Sequence, residues 1–163
     1  MTAFDSALGY IRDTVGMMPA DTLTRFEIGS AVFVDADRMG GARIEIELMA
    51  GQSRVFEVGV EQGESSVVRL GQAVPSSYTH RLPVRVRYDG GGVHATGGIQ
   101  AEVKRDQLAI VDALHRNNWS AVTGLVHLTA DPGAISSFTL TDDTGREHVG
   151  YIGETVVTFS HDI

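Results

Sequence analysis

Cysteine is absent from the 163 residues of this sequence, and no purely apolar run is longer than a few residues. The absence of cysteine excludes disulfides, thiolate-bound zinc, iron–sulfur clusters and thiol nucleophiles. An apolar run of roughly 20 residues would be needed to cross a bilayer, so we expect no membrane-spanning segment. The first ten residues include Asp5 and no basic residue, which is unlike a signal peptide and predicts a protein made in the cytoplasm.

Basic residues are also scarce, because 13 lysines and arginines stand against 21 aspartates and glutamates. The resulting net charge of −8 argues against tight or sequence-specific binding to nucleic acid, whose backbone is itself negative. The hydrophobic fraction of 42% and the charged fraction of 21% are those of a globular protein and exclude wholesale disorder. At roughly 150 residues per domain, residues 1–163 are expected to form a single domain.

Two segments carry apolar residues at helical spacing. The first predicts a short N-terminal helix that ends at Gly16, with Thr2 as its N-cap and this apolar stripe: Phe4, Leu8, Ile11 and Val15. The second predicts a long helix over about 99–117, with this stripe: Ile99, Val103, Ile110 and Leu114. We expect the long helix to pack its stripe on one face of a sheet and to supply much of the core.

Alternating apolar and polar residues predict strands or short apolar pieces in much of the remaining chain: 26–34, 43–48, 55–60, 67–70, 82–88, 125–129, 138–140 and 148–160. Pro83 is expected at the start of its strand or at a sheet edge, because proline lacks the N–H of a ladder. Asp131–Gly133 is expected to end a strand, and Gly150 and Gly153 to form bulges. Short turns between strands predict a mostly antiparallel sheet and an α+β fold.

Residues that could bind metal are present but are not arranged in a known motif. No two of the six histidines stand at metal-binding spacing: His80, His94, His115, His127, His148 and His161. A site could be assembled from distant strands, but scattered surface and half-buried histidines are the favoured interpretation. The segment Asp35–Asp37 resembles the start of a calcium loop, yet Met39 and Ile46 stand where that loop needs oxygen ligands.

The glycine-rich segment Gly90–Gly98 lies between a predicted strand and the long helix, where phosphate-binding loops occur. It contains neither Gly-Lys-[Ser/Thr] nor G-x-G-x-x-G, and no lysine or arginine. The sequence also has no G-x-S-x-G elbow and no serine whose spacing ties it to a histidine base. We therefore predict no metal, nucleotide or other cofactor, and favour a non-enzymatic protein over an enzyme.

The order of the predicted elements resembles that of the tail terminator, or tail completion, proteins of long-tailed bacteriophages and of related head–tail neck proteins. Four stretches carry the resemblance: Phe4–Val15, Leu82–Tyr88, Asp106–Leu114 and Thr155–Ser160. It is a resemblance of pattern, covers most of the chain and includes no motif that assigns roles to single residues. It implies a virion protein, assembled in the host cytoplasm, that forms a ring, commonly of six subunits, between the tail tube and the head connector.

Two loops are longer and richer in glycine than simple turns require, and such loops are usually functional or disordered. We expect them near subunit contacts or the lumen of the ring: Asp35, Asp37, Arg38, Met39, Gly90, Gly91, Gly92, Val93, His94, Gly97 and Gly98. The acidic balance suits a conduit that repels DNA, although simple solubility explains it equally well. Two other classes stay open: a small β-rich ligand-binding or enzyme-like domain and an adaptor that pairs through an exposed strand.

Overall fold

The computed structural model describes residues 2–16, 18, 34–35, 55–59, 66–69, 75–89, 98–141 and 144–162. Along the chain these residues form the following elements: helix α1 (Ala3–Gly16), strands β1 (Val34–Asp35), β2 (Val55–Val58), β3 (Ser66–Arg69) and β4 (Pro75–Asp89), helix α2 (Gly98–Arg116), a 3₁₀ turn (Trp119–Ala121), and strands β5 (Leu125–Thr141) and β6 (Glu147–Asp162). The predicted α+β class, with a short N-terminal helix and one long helix, is confirmed. The predicted strand 43–48 lies outside the described residues, as does most of 26–34.

The described strands form one sheet in the order β1-β2-β4-β6-β5, and β3 also pairs with β4. Every pair is antiparallel except β1 with β2, which is parallel. Strand β4 is the centre of the sheet, because β6 follows one of its edges from Ser77 to Asp89 while β2 and β3 share the other. The prediction of a mostly antiparallel sheet is therefore confirmed.

The hydrophobic core lies between the two helices and one face of the sheet. Alternate residues of the strands point into it, together with one stripe of each helix: Ala7, Ile11, Val15, Leu82, Val84, Val86, Tyr88, Val103, Ile110, Leu114, Leu128, Ala130, Val157 and Phe159. Burying a large apolar side chain stabilises a fold by about 1.5–3 kcal/mol. The stripe predicted for α2 thus supplies part of the core, as expected.

Helix α1 begins with reciprocal hydrogen bonds between Thr2 and Asp5. The backbone N–H of Asp5 donates to Thr2 Oγ1 (3.1 Å), and the backbone N–H of Thr2 donates to Asp5 Oδ2 (2.9 Å). This capping box satisfies N–H groups that have no partner inside the helix. Near its middle, the Tyr10 hydroxyl donates to the carbonyl oxygen of Leu114 (2.7 Å), which joins α1 to the end of α2.

Strand β5 differs from the two short strands that were predicted. Asp131–Gly133 does not end it; instead the register with β6 shifts between Pro132 and Ile135, and the strand continues to Thr141. The side-chain amide of Gln107 on α2 donates to the carbonyl oxygens of Gly133 (3.2 Å) and Glu154 (2.7 Å). These bonds hold the irregular segment in place, so the chain absorbs the extra residues as a bulge rather than as a turn.

Pro83 lies inside a strand, which contradicts its predicted position at a strand start or sheet edge. Strand β4 begins at Pro75 and passes through Pro83, which pairs with Val156 of β6. The N–H and C=O of one strand residue point to the same neighbouring strand, and the Pro83 carbonyl accepts a bond from Gly59 N (2.7 Å). The missing donor of Pro83 therefore faces the end of β2 and leaves the ladder with β6 intact.

Gly150 and Gly153 are not bulges, because the register of β6 with β4 runs through both without a shift. A Cβ atom at Gly153 would overlap the Val103 side chain of α2, and one at Gly150 would overlap the Phe138 ring of β5. The two glycines are thus required for close approach of a neighbouring side chain rather than for an irregular backbone. The predicted positions were right and their predicted role was wrong.

Candidate functional site

Most residues of the two loops predicted to form subunit contacts lie outside the described part of the chain: Asp37, Arg38, Met39, Gly90, Gly91, Gly92, Val93, His94 and Gly97. Asp35 is described, and its backbone pairs with Phe56 in the parallel ladder of β1 and β2. Gly98 is the first residue of α2 and has φ of 77°, a left-handed conformation that favours glycine. A subunit contact at either residue stays a prediction.

The face of β4 opposite the helices carries three arginines. Arg85 Nε donates to Glu154 Oε2 (3.3 Å), and Arg87 Nη2 donates to Glu57 Oε1 (2.9 Å). A cleft of about 200 Å³ lies on this face, lined by Arg81, Pro83, Arg85, Glu154 and Val156. Ligand pockets are usually about 300–1,000 Å³ and mostly apolar, so this small, charged cleft does not favour the ligand-binding alternative.

Polar side chains of α2 are buried against the sheet, which the apolar periodicity did not predict. Glu102, Asp106 and Gln107 are all shielded from solvent, and the Tyr88 hydroxyl donates to Asp106 Oδ2 (2.9 Å). A substrate would reach these carboxylates only if α2 left the sheet. The hydrogen bonds of this cluster therefore fasten the helix to the sheet. Only the placement of Glu102 and Asp106 four residues apart, beside the apolar stripe, could have indicated it from sequence.

Strands β5 and β6 form a long hairpin with two halves. We call residues 125–132 and 155–161 the proximal hairpin, and residues 135–141 and 147–153 the distal hairpin. The pairing of β4 with β6 ends at Asp89 and Gly150, whereas β5 pairs with β6 as far as Thr141 and Glu147. The end of the distal hairpin is therefore a two-stranded ribbon, at least among the residues that the structure describes.

The distal hairpin exposes apolar side chains and a strand edge. Ile135 and Val149 are 37% and 48% exposed, and four other residues of this part of β5 are also exposed: Ser136, Ser137, Thr139 and Thr141. Strand β5 is the last in the sheet order, so its outer edge pairs with no described strand. Unpaired strand edges are ready templates for another chain.

Two histidines that are 81 positions apart come together at the other end of the sheet. His80 of β4 and His161 of β6 lie on the helix-facing side, and their Nε2 atoms are 2.9 Å apart. The rings of Phe4 and Phe159 pack against His80, at centroid distances of 5.0 and 5.2 Å. Neither sequence spacing nor periodicity indicates this pair, because the register between β4 and β6 creates it.

The described residues contain neither a candidate membrane-spanning helix nor a cluster of metal ligands. None of the helices there has the length and apolar character needed to span a membrane. Within the same residues no group of three or more histidine, aspartate or glutamate side chains is placed to hold a metal ion. Comparison with known proteins adds no identity, because no family model matches the chain and no curated protein matches it significantly.

Proposed function

We propose that the protein is a non-enzymatic structural subunit that assembles with copies of itself into a ring, and that the ring caps the tail tube of a phage-like virion and joins it to the head connector. The observation that carries the proposal is the distal hairpin, with its exposed apolar residues and open strand edge. The tail and connector partners, and a ring of about six, come from the resemblance of the element order alone.

The edge of β5 is protected in only one place. Natural edge strands avoid unwanted pairing by means of charges, prolines and bulges. In β5 these devices are concentrated in the Asp131–Gly133 segment, where the register shifts. From Ile135 to Thr141 the strand has no charged residue and no proline. This stretch suits the addition of a strand from a neighbouring chain.

The occupant that we propose for this edge is a second copy of the chain. When one surface of a subunit binds a different surface of the next, the contacts generate a ring if the rotation closes and a filament if it does not. A tail tube is a stack, and a terminator supplies its end. An adaptor that pairs through the same edge with an unrelated protein is the second candidate, since the distal hairpin serves both.

The test measures assembly by native mass spectrometry and negative-stain microscopy, with the protein alone and with purified tail tubes. We expect a closed ring of one discrete mass. Ile135→Lys places a charge on the distal hairpin and should abolish the ring. Val126→Lys is the control, because Val126 is also an exposed apolar residue of β5 (52%, against 37% for Ile135) but lies in the proximal hairpin, and this variant should assemble normally.

Three results would contradict the proposal. The first is a chain that stays monomeric both alone and with tail tubes. The second is a map of the particle that places the chain away from the head–tail axis, and the third is assembly that Ile135→Lys leaves intact. A stable pair with an unrelated protein, lost in Ile135→Lys, would favour the adaptor instead.

A further inference from the structure

The His80 and His161 side chains face each other through the atoms that bind metal ions. Their ring planes differ by 7°, the centroids are 4.9 Å apart, and the Nε2 atoms are 2.9 Å apart. The two nitrogens are thus much closer than the ring centres, so the rings lie nearly edge to edge with their Nε2 atoms turned toward each other. One imidazole donates a hydrogen in this contact and the other accepts it with a lone pair.

We propose that His80 and His161 form a binding site for a divalent transition-metal ion of the zinc, nickel and copper class. Neutral imidazole nitrogen is the commonest protein ligand for these ions. When the ion binds, the hydrogen on the donor Nε2 moves by way of water to the Nδ1 atom of the same ring, so both imidazoles stay neutral and each Nε2 gives a lone pair to the ion. This inference does not depend on the proposed role in a virion.

The distance between the nitrogens is close to what such an ion requires. With metal–nitrogen bonds of about 2.0–2.1 Å and tetrahedral angles, two ligand nitrogens are about 3.3 Å apart. The Nε2 atoms must therefore separate by only about 0.4 Å, and each ring must swing slightly so that both lone pairs meet at one point. Small adjustments of this size need no change in the backbone ladder.

Neighbouring aromatic rings hold the two imidazoles in position. Phe4 of α1 meets His80 edge-on, Phe159 also packs against His80, and Tyr78 lies against His161 at a centroid distance of 5.8 Å. Both histidines are half-buried, so water can reach the site and complete the coordination. Because the packed rings lose little rotamer freedom when an ion binds, the pair should bind the ion more tightly than two independent imidazoles would.

The chemistry of the two ligands predicts an order of affinity. Two imidazoles and water should follow the general series for divalent ions, with copper above nickel and zinc, and manganese far weaker. Magnesium and calcium prefer oxygen ligands and should not bind here. Because the histidines belong to different strands, an ion would bridge β4 and β6 and would bind only to the folded chain.

The experiment titrates protein that carries no histidine tag with Zn²⁺ and Ni²⁺, and follows binding by calorimetry and by the nitrogen NMR signals of the histidine side chains. We expect one ion per chain and shifts of the Nε2 signals of His80 and His161. At about 100 times the Kd, an ion that binds only the folded state should raise the Tm by about 5–10 °C.

Three glutamine variants test the assignment. Loss of a group that only hydrogen-bonds to a metal ligand lowers metal affinity about 10–100-fold. His80→Gln and His161→Gln each remove a ligand itself, so each should lower the affinity by more than that. His127→Gln is the control, because His127 is exposed on β5 and packs against Trp119 rather than against either histidine. It should bind as the unchanged protein does.

The proposal is overturned by any of three results. These are the absence of binding by Zn²⁺ and Ni²⁺, binding that both ligand variants retain, and binding that shifts histidine signals other than those of His80 and His161. The NMR measurement uses the unaltered protein, so it decides the matter even if a glutamine variant fails to fold.

Discussion

The proximal and distal halves of the β5–β6 hairpin share one backbone ladder but lie in different environments. In the proximal hairpin, Leu128, Val157 and Phe159 are buried beneath the two helices. In the distal hairpin, Ile135 and Val149 stand in solvent, although the strands still pair residue by residue. Strand pairing thus continues beyond the point where the helices stop covering the sheet. The comparison separates the part of the hairpin that stabilises the fold from the part that is open to a partner.

The largest expected effect is on the helix that covers the proximal hairpin. Leu114 is fully buried, so Leu114→Ala should lower the free energy of unfolding by about 2–5 kcal/mol. Leu108 lies on the same helix but is 51% exposed, and Leu108→Ala should change it by less than about 0.5 kcal/mol. Urea unfolding of both variants measures the difference. Equal losses of unfolding free energy would mean that α2 does not pack its predicted apolar stripe against the sheet.

Alanine substitutions at two glycines of β6 test where the packing of α2 against the sheet ends. Gly153→Ala places a methyl group against Val103 of α2 and should destabilise the protein by about 1–3 kcal/mol, because a packed core resists added volume. Gly150→Ala meets the Phe138 ring, which is only half-buried and can turn toward solvent, so it should cost less. Thermal unfolding compares the two. A larger loss of stability at Gly150 would show that β6 is packed as tightly there as at Gly153, where α2 still lies against it.

A smaller effect is expected from the polar bond between α2 and β4. Tyr88→Phe removes one hydrogen bond to buried Asp106 and should cost about 0.5–1.5 kcal/mol. Tyr151 pairs with Tyr88 across β4 and β6 but is only half-buried, so Tyr151→Phe is the matched control and should cost less. Chemical denaturation measures both. If the two variants unfold alike, the Tyr88–Asp106 bond does not fasten the helix.

The smallest effect concerns the start of α1, which packs over the proximal hairpin. Hydrogen bonds donated by Thr2 hold the pKa of the Asp5 carboxyl below its usual range. Because the folded-state pKa is the lower one, the stabilisation is complete above the unfolded-state pKa of about 3.9 and is lost as the pH falls through the folded value. Asp5→Asn should therefore lower the Tm near neutral pH, and the gap should close in acid. A gap that persists in acid would contradict this.

The sequence was sufficient for features that depend on neighbours along the chain. Helix α2 was predicted over about 99–117 and extends over Gly98–Arg116, because its apolar spacing and flanking glycines are local signals. The same holds for α1 and for the alternation along β4 and β6. The roles of proline and glycine within strands were predicted less well. The role of Pro83 depends on the neighbouring strand, and that of Gly153 depends on the helix that packs against it.

By itself, the amino-acid sequence determined the class of the fold, the two helices and the absence of thiol chemistry, because periodicity and composition act over short stretches of chain. Only the tertiary structure decided that β5 is one strand with a bulge, that Tyr88 meets Asp106, and that His80 meets His161. Those contacts join residues up to 81 positions apart. They exist only once strand register and helix packing are set, and no local pattern encodes the register between two distant strands.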